Sequence, residues 1–262
     1  MKPQPKHLSL YAENGETRPD ESKAFTHYRW QSGHVAELDR EYPTQLYAWH
    51  GDQIGFNHAG THYGYVDKGP AKLIIPAFGF DYWLHEGMYF SVPFPCRIEK
   101  GRGIVILREG FFGYFHIGGP VEHKGRLRYI DGCTDSLILS PPRKGNPCLN
   151  LLYFPPGVDQ TAHTHPSDRV GVVLSGRGKC VYDEDNKTVD LVPGMIFCIH
   201  TNGYHKFQTP YGEEMRVLAY HPETDFGPDD ENHPMLNRTI IDGISAADPE
   251  RAQYRTGQDV GT

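Results

Sequence analysis

The sequence predicts an all-β protein made of two tandem β-barrels with irregular N- and C-terminal arms. Three observations predict it. Apolar and aromatic residues fall in short runs rich in Val, Ile, Leu, Tyr and Phe. The 29 Gly and 21 Pro close most of those runs, which favours strands and turns over long helices. Finally, Gly87-Met88-Tyr89-Phe90 returns as Gly194-Met195-Ile196-Phe197 within a matching order of strands, as expected for two related barrels.

Residues 1–26 are polar, with Glu13, Glu16, Asp20 and Glu21, and read as a flexible arm. The Tyr- and Trp-rich stretch that follows opens a first barrel over 27–124. Its strands read as Tyr63–Val66, Lys72–Ile75, Tyr82–Leu84, Met88–Val92, Gly103–Leu107 and Gly113–Ile117. A second barrel spans 125–225. Leu127–Ile130, Ser136–Leu139 and Cys148–Phe154 come first, closed by Pro155-Pro156-Gly157. Arg169–Leu174, Gly178–Tyr182, Thr188–Leu191, Met195–Ile199, His205–Gln208 and Met215–Tyr220 complete it, with Asp183–Asn186 as a polar hairpin tip. Residues 226–262 form a polar, acidic extension whose last dozen residues read as a short helix or a loose tail.

Composition excludes several functions. The formal charge is −7 and no Lys/Arg cluster is long enough to track a phosphate backbone, so no nucleic-acid partner is expected. No apolar run reaches the ~20 residues of a membrane-spanning helix, so no membrane partner is expected either. Met1–Lys6 lacks the apolar core of a signal peptide. Cys96, Cys133, Cys148, Cys180 and Cys198 are odd in number and contain no CxxC, so a reducing, cytoplasmic setting is expected.

The chemistry concentrates in 157–205. In a strand, residues two apart share a face, so His163 and His165 project together. Neutral imidazoles so placed suit a divalent transition metal. His58 and His62 are four apart in a Gly-rich loop, a spacing that does not bring ligands together on one strand face.

This stretch resembles the cupin family, whose first motif is G-x5-H-x-H-x3,4-E-x6-G and whose second is G-x5-P-x-G-x2-H-x3-N. Gly157, His163, His165 and Gly176 fall on the first, Gly194 and His205 on the second. Gly87 and Pro93 repeat part of the second motif in the earlier series. The resemblance implies a bicupin of jelly-roll barrels, with a degenerate, metal-free first barrel serving as scaffold and dimer surface. It also implies a three-histidine metal site, His163, His165 and His205, in the second. A homodimer paired through edge strands is among the assemblies it allows.

The departures from the motif are informative. Arg169 stands at the Glu ligand position, His200 at the Pro, Asn202 at the Gly and Thr209 at the Asn. In the first barrel Ile98 takes the motif position of His205. Arginine has no lone pair to give a metal, so three neutral ligands remain, with Asp168 as an alternative oxygen donor. Arg169 is either a bidentate clamp for a substrate carboxylate or a surface ion pair with Asp168, Asp183 or Glu184. His200 is a proton shuttle or a rim histidine.

The function so implied is a mononuclear non-haem iron dioxygenase acting on a small carboxylate-bearing or chelating organic substrate. Its cofactor would be one divalent ion, Fe(II) first, with Zn, Mn, Ni or Cu as alternatives. A redox-neutral isomerase or lyase using Zn, Mn or Ni and a non-catalytic small-ligand-binding barrel are the competing readings.

Overall fold

A computed structural model describes residues 24–38, 41–233 and 235–247. The regular structure is antiparallel β apart from two single-turn 3-10 segments, Pro76–Phe78 and Ile130–Gly132. No helix among the described residues is long and apolar enough to cross a membrane. The residues read as the leading arm, up to 23, and the last residues, from 248, lie outside the described set.

Two barrels are present. The first pairs a six-stranded sheet with a four-stranded one. The six strands run His116–Gly118, Tyr89–Val92, Gly60–Lys68, Arg102–Glu109, Thr44–His50 and Gly33–Leu38. The four are Ile54–Phe56, Cys96–Glu99, Ala71–Ile75 and Phe80–Leu84. The second barrel repeats this plan. Its large sheet runs Phe25–Tyr28, Ile196–Ile199, Arg169–Gly176, Met215–His221, Cys148–Phe154, Thr134–Leu139 and Leu127–Arg128. Its small sheet is Lys187–Leu191, Gly178–Tyr182 and His205–Gln208.

Strand alternation decides what each barrel does with its two faces. On Met215–His221, Val217, Ala219 and His221 turn into the second barrel, while Leu218 and Tyr220 turn out. The outward residues are apolar because the two large sheets cover each other. Leu149, Leu151, Val172 and Leu218 from one sheet join Leu46, Tyr63, Ile104 and Ile106 from the other in a single buried cluster. Burying each such side chain stabilises by ~1.5–3 kcal/mol, so the barrels are held together by a shared core.

The tetrapeptide repeat has a packing reason. Phe90 lies across Gly64 of the neighbouring strand, and Phe197 lies across Gly171. A Cβ at either glycine would enter the ring, so glycine and phenylalanine are required together.

Two readings change. The boundary between arm and first barrel, at 26/27, falls inside strand Phe25–Tyr28, which pairs antiparallel with Ile196–Ile199 in the second barrel. The run Gly113–Ile117 forms a strand only from His116 to Gly118, because the residues before it do not pair into the sheet.

Candidate metal centre

His163 and His205 oppose each other in an isolated antiparallel bridge, and their backbones exchange both hydrogen bonds, at 2.9 and 3.0 Å. His165 follows two residues after His163. The three rings converge, with centroids 4.5 to 5.2 Å apart. One ligating nitrogen from each lies within 4.8 Å of the others.

Their hydrogen bonding suits a metal. The Nδ1 of His163 lies 2.9 Å from the carbonyl of Thr161, and that of His205 lies 2.9 Å from the carbonyl of Gly203. A ring that donates Nδ1–H to a carbonyl leaves Nε2 with its lone pair free, the usual outer support of a ligating histidine. The Nε2 of His205 is buried and has no protein partner. Burial first, then the Arg169 guanidinium, holds His165 down to about 3. Burial likewise holds His205 down to about 4. Both rings are therefore neutral, as ligands must be. The donor set fits a divalent transition ion.

The cavity beyond the histidines has a volume of about 70 Å³. Phe154, Phe197 and Phe207 form its apolar wall, and Asp135, Asn150 and Arg169 its polar one. Arg169 enters here because Gly171 and Arg169 share the inward face of their strand. Its fork is already engaged. Nη2 donates to Glu223 at 3.0 Å, and Nη1 donates to the hydroxyl and carbonyl oxygens of Ser167. Ser167 in turn donates to Glu223 at 2.7 Å. Arg169 thus stands on the cavity as the clamp reading expects, with both Nη atoms held within the chain, and its ion pair is not with Asp168, Asp183 or Glu184. The ion-pair acceptor is Glu223, and only Nε of Arg169 lacks a partner.

His200 does not line this cavity. It follows Ile199, whose side chain points in, so its own ring points to the other face. There Nε2 meets the Thr26 hydroxyl at 2.7 Å, and Nδ1 lies 3.5 Å from Asp168. Cys198 Sγ is 3.7 Å from the same Nδ1. Asp168 accepts from the backbone N–H and hydroxyl of Thr201. The expected proton shuttle and the alternative oxygen ligand thus form a separate cluster under strand Phe25–Tyr28.

Asp135, Asn150, His221 and Glu223 escaped the sequence reading. Asn150 is the one strong signal, a polar residue at an inward position of the apolar run Cys148–Phe154. Asn150 Nδ2 donates to Asp135 Oδ2 at 2.6 Å. Desolvation pushes Asp135 up to about 6 despite that bond. Burial, then Arg169, drives His221 well below the usual histidine range.

The first barrel's equivalent positions follow from register. Strand Ala71–Ile75 matches Gly178–Tyr182 end to end, which sets Leu73 on Cys180. Their small-sheet neighbours are Ile98 and Phe207. His205 therefore matches Cys96, not Ile98 as motif spacing suggested. Phe56 pairs with Cys96 as His163 pairs with His205.

Comparison with known proteins agrees with this architecture. The family model described as a cupin domain matches residues 150–221. A search of curated proteins found no match. Among solved structures, a cupin 2 conserved barrel domain protein from Leptotrichia buccalis is similar at TM-score 0.53 and 16% identity, covering 76% of this chain and 89% of that one. Oxalate decarboxylase from Bacillus subtilis, described for its Mn(II) centres, is similar at TM-score 0.50 and 12% identity, covering 80% and 81%. A mutant salicylate 1,2-dioxygenase from Pseudoaminobacter salicylatoxidans, in complex with gentisate, is similar at TM-score 0.50 and 11% identity, covering 69% and 68%. At these identities the likeness is one of fold. Residues 150–221 form a cupin domain, within an all-β chain that carries the cupin fold as two tandem barrels.

Proposed function

We propose that the second barrel is the centre of a mononuclear metal-dependent oxidoreductase, a non-haem Fe(II) dioxygenase of a small carboxylate-bearing or chelating organic substrate. The observation that carries this reading is the convergence of three imidazoles without a carboxylate. Three neutral ligands leave the charge of a divalent ion uncompensated, which favours an anionic or chelating substrate. Bound there, Fe(II) would supply both that charge and a redox couple for oxygen chemistry.

The chain's own residues do the rest. Thr161 and Gly203 carbonyls fix the ring orientations of His163 and His205. Phe154, Phe197 and Phe207 give the cavity an apolar lining, and its size admits only a small substrate. Glu223 and Ser167 hold the Arg169 guanidinium rigid on the wall. The first barrel acts as a metal-free scaffold in this reading.

A redox-neutral reading, a lyase or isomerase using Mn, Zn or Ni, is favoured by Asp135. A carboxyl pushed up to about 6 both takes and gives a proton near neutral pH. The test separates the two. Protein loaded anaerobically with Fe(II) is expected to consume oxygen with a member of a panel of thiols, diketones and hydroxyaromatic acids, and His163→Ala is expected to lose that uptake. No uptake across the panel, with iron bound, ends the dioxygenase reading. Turnover without oxygen in Mn- or Zn-loaded protein supports the second.

A further inference from the structure

A buried polar atom without a hydrogen-bond partner is destabilising unless something outside the chain meets it. Residues contributing three such atoms line the same cavity: His205 Nε2, Asp135 Oδ1 and Arg169 Nε. The first belongs to the candidate metal set. The other two come from side chains anchored at their far ends. Asn150 holds Asp135 by Oδ2, and Glu223 and Ser167 hold Arg169 by its two Nη atoms. Each anchored side chain keeps one unmet atom, an acceptor on Asp135 and a donor on Arg169.

We propose that Asp135 and Arg169 together select a short hydroxy- or amino-carboxylate. Asp135 Oδ1 accepts from its hydroxyl or ammonium group, and Arg169 Nε–H donates to a carboxylate oxygen. The inference rests on reading the three histidines as the metal centre and narrows the substrate class of that site. Glu223 makes the choice sharp. It already neutralises Arg169, so a carboxylate gains one directional hydrogen bond rather than the pull of a free cation. A simple carboxylate without a donor leaves Asp135 unmet. The cavity, about 70 Å³, requires that the ligand's two groups be close together.

The test is a binding titration under nitrogen with Mn(II)-loaded protein, using lactate and propanoate as probes. Lactate is expected to bind at least about tenfold more tightly, toward the low end of the cost of leaving a buried polar group unpaired. A hydroxy acid also chelates metal better than a simple acid, so the variants decide. In Asp135→Asn, the amide oxygen must still accept from Asn150, which turns an N–H₂ toward the ligand. The lactate preference is expected to fall at least about fivefold, leaving only what chelation supplies. Asp135→Ala, which offers neither donor nor acceptor, is expected to lose it similarly and serves if the amide variant misfolds. Equal affinities in the native protein, no binding of either probe, or a preference of unchanged size in the folded variant overturns the proposal. Binding here needs no turnover, so failure of oxygen uptake alone would sink only the dioxygenase reading.

Discussion

The two barrels share one frame and fill it differently. In the second, His163 faces His205 across a bridge, and Arg169 and Asn150 stand on the adjoining wall. In the first, Phe56 faces Cys96. His62 stands where Arg169 does, two residues before the glycine that receives the phenylalanine ring. Tyr47, opposite Val105, takes the place of Asn150, opposite Ala219. Phe56, Leu73 and Ile98 are among the most deeply buried side chains of the chain. Pairing, register and the Gly–Phe contact are common to both barrels, so the frame does not explain the candidate site. A handful of inward side chains does.

Substitutions at matched positions sharpen this contrast. The largest effect is expected on metal. His163→Ala should lower the bound metal by more than the roughly 10–100-fold that losing an outer support of a ligand costs, measured by elemental analysis after dialysis. Its counterpart Phe56→Ala should leave metal content unchanged and instead cost ~3–5 kcal/mol of stability in urea denaturation. Metal loss from Phe56→Ala in folded protein would erase the distinction between the barrels.

Next in size is the shared contact. Gly64→Ala and Gly171→Ala each drive a methyl group into a phenylalanine ring. Each should cost ~1–3 kcal/mol, by a similar amount in the two barrels. A neutral result in one barrel only would show that its ring has room to swing, and that the repeat is not one of packing.

The smallest effect is on pH dependence. Asp135 has a folded pKa of about 6, raised above its ordinary value of 3.8 by desolvation. The native state therefore holds its proton more tightly than the unfolded chain does. The associated stability is present at pH below about 4 and is lost as pH rises through about 6. Asp135→Asn should thus gain on the native protein by ~1–2 kcal/mol between pH 4 and pH 7, read from denaturation midpoints. A gap constant with pH would mean that Asp135 is not desolvated.

Much of this was legible in sequence because period-two alternation and Gly/Pro punctuation are local signals. The paired histidines at 163 and 165 and most strands of both series were of that kind. The failures involve relations that local pattern does not carry. Motif spacing put Ile98 opposite His205, but the loop before His205 is longer than its counterpart, and pairing points to Cys96. His200 occupies the Pro position of the second motif, although alternation from Phe197 and Ile199 already turns it outward. Glu223 follows the end of strand Met215–His221 and reaches Arg169 across a sequence separation of 54 residues. Nothing in a linear reading joins them.

Strand Phe25–Tyr28 sets an order of events. It is made by the ribosome long before Ile196–Ile199, and contacts such as Thr26 to His200 span 174 residues. The first barrel can close around its own strands as they emerge, ending with His116–Gly118 on the exposed side of Tyr89–Val92. The second cannot cover the matching side of Ile196–Ile199 with anything near it in the chain. Until Phe25–Tyr28 docks, Ile196–Ile199 presents an open edge of the kind that invites pairing between copies. Completion of the candidate metal barrel thereby waits on two strands made far apart in time, Phe25–Tyr28 before the first barrel and Ile196–Ile199 after it.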